Sequence, residues 1–226
     1  MKTKRRHKLN HITYSKKEIA EMLPYIIPFS AYALIITLSP YIGCLYADIA
    51  KIILVGGLLI YYIKEYTELS IKWSWSALAV GIIIFLIWAG PEVIMNKLSV
   101  QLPSWYGASS QAKIFTGYKL ILRLIASILI APVVEELFVR SFLIRVLVSN
   151  KFKSVRIGQF EWLSFIATVL FFGLSHKRWL VGIITGIILN LYLYKKKDVF
   201  ACIQAHAWSN LLLAVLMIIT NKFIFW

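Results

Sequence analysis

The chain has 226 residues, is 60% hydrophobic and carries 25 Lys and Arg against 10 Asp and Glu. A mean hydropathy of +0.75 excludes an ordinary soluble domain, whose composition is nearer half apolar, and points to a membrane protein. The basic excess does not indicate nucleic-acid binding, whose footprint clusters on one face. Here Lys2, Lys4, Arg5, Arg6, Lys8, Lys16 and Lys17 crowd an acid-free N-terminus and most other cations flank apolar runs, as topology signals and anionic-lipid contacts do.

Residues 1–20 read as a basic tail and residues 21–226 as a single transmembrane domain. No small-residue cleavage site follows the basic start, so the first span, Leu23–Tyr41, is read as uncleaved; Pro24, Pro28 and Pro40 lie near its ends. The second span is Ala50–Ile63, closed by Lys64, Glu65 and Glu68. The third is Ser76–Ile94, which Pro91 is expected to kink or end. A loop through Pro103 and Gly107 reaches Gln111. The apolar stretch from Ile114 to Val148 would measure about 50 Å as one straight helix, against a hydrocarbon core of about 30 Å. Pro132 in its middle predicts a broken or strongly kinked helix. After a basic loop at Lys151, Lys153 and Arg156 come spans at Glu161–Ser175, Trp179–Tyr194 and Val199–Thr220, the last two separated by Lys195, Lys196 and Lys197. The fold expected is all-α: a polytopic bundle of seven to eight transmembrane helices in the inner or plasma membrane, with lipid as its surrounding partner. Gly182 and Gly186 form a GxxxG, the pattern of close helix packing. Cys44 and Cys202 show neither a disulfide framework nor metal-ligand spacing.

Within this apolar chain, APVVEELFVRSF at 131–142 places Glu135, Glu136 and Arg140 together. Charges at the centre of a membrane helix cost about 2.5–3.5 kcal/mol each on insertion scales, and an intramembrane ionisable group is by default a functional hypothesis. Glu136 and Arg140, four apart, share a helix face and can pair. Glu135 points about 100° away, and a carboxylate desolvated without a full partner can serve as a base near neutral pH. A purely structural ion pair is the competing reading. Two further motifs bear on the choice. FFGLSH places Phe172 and His176 four apart, and HAWSN places His206 and Asn210 four apart on one face. A carboxylate, two imidazoles and a carboxamide are sufficient to activate water and hold an oxyanion.

Glu135-Glu136-x-x-x-Arg140, Phe172-x-x-x-His176 and His206-x-x-x-Asn210, in that order, resemble the three motifs of the CAAX protease and bacteriocin-processing family, the Abi or Rce1-like glutamic intramembrane proteases. The resemblance covers about residues 115–215. Tyr-Thr-Glu-Leu at 66–69 and Ile-Trp-Ala-Gly-Pro-Glu at 87–92 are similar to a bacterial branch associated with exosortase sorting systems. The resemblance implies an intramembrane endopeptidase acting on a membrane-associated or lipid-modified peptide or protein, with no cofactor and no metal. It implies that Glu135 activates water with the help of His176, and that His206 and Asn210 hold the oxyanion. Glu136 and Arg140 would set the geometry of the glutamate helix, and Phe172 would pack beside the site. Three alternatives stand beside it: a zinc peptidase using Glu135, His176 and His206, although HExxH is absent; a non-enzymatic scaffold or immunity-type protein of the same fold; and a transporter, for which no internal repeat of the motifs is visible.

Topology leaves a conflict. With a cytoplasmic N-terminus and seven spans, the loops at 151–156 and 195–197 face the cytoplasm, as positive-inside topology requires. His176 then falls near the outer end of its helix while Glu135 and His206 lie nearer the inner side. An eighth span at about 134–149 moves His176 inward but sends both basic loops outside. Re-entrant or tilted helices would remove the conflict.

Overall fold

The computed structural model describes residues 15–98 and 116–221; the first fourteen residues of the basic tail and the loop through Pro103, Gly107 and Gln111 lie outside the described residues. Within them the chain folds as an all-helical membrane protein with seven helical segments. These are α1 (Lys16–Ile42), α2 (Cys44–Tyr61), α3 (Trp75–Lys97), α4 (residues 118–146), α5 (Trp162–Leu174), α6 (Trp179–Lys196) and α7 (Val199–Thr220). Helices α1, α2 and α7, together with Trp75–Met95 of α3, are each long and apolar enough to cross a membrane.

Helix starts follow from local chemistry. Ser15 and Glu18 form a reciprocal capping box at α1, so the helix begins inside the stretch read as tail. The Glu161 carboxylate accepts from the Ser164 amide at α5, and Asp198 accepts from the amides of Phe200 and Ala201 at α7. Gly43, at φ +84°, turns the chain between α1 and α2, a conformation few side chains allow. Pro91 does not end α3, which continues to Lys97. In an apolar surrounding a broken backbone finds no water to bond, so the helix absorbs the proline.

The same physics corrects the expected break at Pro132. Residues 118–146 stay helical throughout, and Ile130 and Ala131 keep right-handed φ/ψ of −75°/−50° and −58°/−52°. The interruption is a change of hydrogen-bond register: residues 125–130 and 137–143 are π-helical, a rare form that concentrates at functional sites. A separate eighth span at 134–149 is therefore absent among the described residues.

Helix directions alternate. At one end of the bundle Glu68 accepts from Tyr25 at 2.8 Å and from Arg145 at 3.2 Å, and also bonds Ser141. Tyr66 donates to the Pro24 carbonyl at 2.7 Å. Burial first, and the charge of Glu68 second, hold the Tyr66 phenol above its ordinary pKa, so it stays a donor. The Tyr-Thr-Glu-Leu segment is thus a clamp joining the α2–α3 loop to α1 and α4. At the opposite end Arg123 pairs with Asp48 at 3.0 Å and Arg178 with Glu92 at 3.2 Å.

Helices α5 and α6 form a tight hairpin. A Cβ on Gly182 would lie 3.0 Å from the Gly173 Cα, and one on Gly186 would lie 3.3 Å from the Val169 backbone, so the GxxxG is a packing motif. A Cβ on Gly173 would meet the Ile183 amide nitrogen at 2.9 Å. Gly173→Ala is expected to lower the stability of the purified protein by about 1–3 kcal/mol through overpacking, read as a fall in Tm, and to lower activity by displacing His176 three residues away.

Candidate active site

Helix α5, through its length, bears on the depth of His176. Its 13 residues span about 20 Å, too short to cross the bilayer core. His176, just past its end, therefore sits within the membrane rather than at its outer surface. Glu135 is about 16 Å along α4 from the end at Val146, so the two residues reach similar depth from the same end of the bundle. The hairpin tip is anchored there by Arg178, which is 4% exposed and paired with Glu92 on α3.

Glu136 and Arg140 form the ion pair that their spacing predicts. Arg140 Nε lies 3.1 Å from Glu136 Oε2, and both side chains are fully buried. Removing two charges from water is costly unless other groups help to hold them. Here the Phe172 ring lies 4.3 Å from the Arg140 guanidinium carbon, in cation–π range, and His206 Nδ1 lies 2.9 Å from Glu136 Oε1. A carboxylate engaged with arginine only accepts, so Nδ1 of His206 carries the proton. The pair thus does more than shape the glutamate helix: it orients His206 across from α7, leaving Nε2 as the remaining ring nitrogen.

Glu135 points elsewhere. Its Oε1 accepts from the Tyr32 hydroxyl of α1 at 2.9 Å. His176 Nδ1 lies 2.7 Å from the Phe172 carbonyl. A carbonyl only accepts, so Nδ1 holds the proton, and in the neutral ring Nε2 presents its lone pair. Phe172 packs 4.7 Å from the His176 ring and 6.0 Å from the His206 ring, centroid to centroid.

Asn210 explains the proline. The Ala131 amide donates to Ala126, five residues back. In that register the partner of the Ser127 carbonyl is Pro132, which has no N–H. Asn210 Nδ2 donates to that carbonyl at 2.8 Å. The irregular turn of α4 is thereby satisfied, and the carboxamide is fixed with one N–H to spare.

Glu135, His176, His206 and Asn210 line one cavity of about 350 Å³ together with Phe172 and Tyr32. Sequence reasoning missed several contributors. Tyr32 carried no motif signal. Trp88, inside the Ile-Trp-Ala-Gly-Pro-Glu segment, lines the cavity, donates from Nε1 to Thr185 at 2.9 Å and lies 5.7 Å from the His176 ring. Lys51 and Arg123 also line the cavity, and both pair with Asp48; their cost in an apolar helix was a readable signal. Among the described residues, no three His, Cys, Asp or Glu side chains are grouped to hold a metal ion. Tyr32→Phe is expected to lower kcat by about 10-fold through loss of the anchor on Glu135, with a fall in Tm beside it, since a hydrogen bond to a charged group contributes about 1.5–3 kcal/mol to stability.

Residues 117–212 match the family model described as type II CAAX prenyl endopeptidase Rce1-like. No curated protein and no solved structure matches the chain. The match begins after Tyr-Thr-Glu-Leu and Ile-Trp-Ala-Gly-Pro-Glu, and it spans all seven motif residues on α4 to α7. Residues 117–212 thus form a domain similar to the Rce1-like family of CAAX prenyl endopeptidases, a protease family, within a membrane protein.

Proposed function

We propose that the protein is a glutamic intramembrane endopeptidase of the inner or plasma membrane, with its N-terminus in the cytoplasm, acting on a membrane-associated or lipid-modified peptide or protein. The observation that carries this reading is convergence: Glu135, His176, His206 and Asn210 share one cavity, and Glu135 is held by a hydroxyl rather than by Arg140. Glu135 takes a proton from water, and the water oxygen adds to the scissile carbonyl. The spare Asn210 N–H holds the oxyanion, joined by His206 Nε2 when that nitrogen also carries a proton while Nδ1–H stays on Glu136. His176, with Nε2 available, helps orient the water, and the proton taken by Glu135 passes to the leaving amine as the C–N bond breaks.

Loss of cleavage in a Glu135→Gln protein that still inserts and folds tests this reading against the scaffold reading, under which the cellular phenotype survives the change. Treatment with a chelator separates it from a zinc peptidase. Activity is expected to be unchanged by EDTA; loss with chelator and return with added zinc would establish the metal mechanism.

A further inference from the structure

The cavity is not placed symmetrically in the bundle. Its wall comes from the C-terminal halves of α1 and α3, the N-terminal portions of α2 and α4, residues at the α5–α6 tip, and His206, Ser209, Asn210 and Leu213 at the middle of α7. Because helix directions alternate, all but the α7 residues lie toward the end opposite the loops at 62–74, 147–161 and 197–198. The wall extends to the exposed Lys177 and the half-buried Ser39, and it is polar there, with Lys51 and Arg123 contributing. In the other direction the cavity has a floor. Glu136 and Arg140 are fully buried beneath Glu135, and the fully buried Ile144, Leu189, Leu193, Val199 and Cys202 follow. Among the described residues, Glu135 is reached from this end and, from the side, through a second cavity of about 310 Å³ between α1 and α5 that Phe29, Ala33, Val139 and His176 also line, but not through the floor.

Although Lys51, Lys97, Lys119, Arg123, Lys177 and Arg178 lie toward the other end, the closed end carries the larger share of the cations. Lys64, Lys72, Lys151, Lys153, Arg156 and Lys195–Lys197 all belong to loops or helix ends there, and the chain continues from the start of α1 into the basic N-terminus. Loops rich in Lys and Arg stay in the cytoplasm. From these two observations, we infer that the cavity opens to the outer face of the membrane, so that the segment it receives has already been exported rather than being a cytoplasmic chain end. That a segment is received there rests on the hydrolytic reading; the direction of opening does not.

The test is accessibility in cells. In the full chain with Cys44→Ser and Cys202→Ala, a single cysteine is introduced as Ser39→Cys in the cavity wall or as Lys196→Cys in the basic loop. A membrane-impermeant maleimide is applied to intact cells and to permeabilised cells. Ser39→Cys is expected to label to the same extent in both, and Lys196→Cys only after permeabilisation. The reverse pattern places the opening in the cytoplasm and overturns the inference. Failure of Ser39→Cys to label even after permeabilisation, in protein that elutes as a folded species, shows that no open mouth exists and overturns it equally. The same labelling pattern is expected when Glu135→Gln is added, so failure of the hydrolytic reading and failure of the topological one are read separately.

Discussion

Glu135→Gln is expected to lower the single-turnover rate of peptide cleavage by about 10²–10⁴-fold, the range contributed by a positioned general base. The carboxamide is nearly isosteric and still accepts the Tyr32 hydroxyl through its oxygen, so little of the loss comes from altered packing. Thermal unfolding in detergent should therefore stay close to the parent protein. The contrast with Tyr32→Phe is informative. Gln removes the proton acceptor, whereas Phe leaves it in place and removes only its anchor, and the smaller loss should follow. If both variants lose activity equally, Tyr32 takes part in the chemistry rather than in positioning.

The second large effect falls on stability. Arg140→Met is expected to destabilise the fold by about 3–5 kcal/mol, because it strands the Glu136 carboxylate in a site with no solvent exposure. The measurement is the fraction of protein remaining monodisperse in detergent on heating. Arg140→Met combined with Glu136→Gln removes both charges and should recover much of that stability, since a neutral pair avoids the uncompensated charge. Gln can still accept from His206 Nδ1. Activity in the double variant reports how much of His206's role depends on a charged partner rather than on orientation. Arg140→Lys should not substitute well, because a compact ammonium cannot combine the bonds to Glu136 with the guanidinium's contact on the Phe172 ring.

Hydropathy alone placed the helices from α3 onward to within a few residues, but read α1 from Leu23 and α2 from Ala50 where they begin at Lys16 and Cys44. A lipid-embedded backbone must satisfy its own hydrogen bonds and therefore forms helices wherever the chain is apolar. The Glu136–Arg140 pair and the outward turn of Glu135 were equally legible, since both follow from helical spacing within one segment. The resemblance carried by three short motifs likewise pointed to the family whose model matches residues 117–212. Tertiary structure decided what depends on separate helices meeting. Tyr32 is 103 residues from Glu135, and no local pattern links them. His206 reaches Glu136 across α7 and α4, and Asn210 takes the carbonyl that Pro132 cannot bond. The depth of His176 depends on α5 stopping about 20 Å into the bundle; the short apolar run was legible, but its meeting with α4 at the level of Glu135 was not. Spacing within a helix is set by backbone geometry and can be read from sequence; the packing of one helix against another is set by side chains distant in the chain, and only the folded bundle shows it.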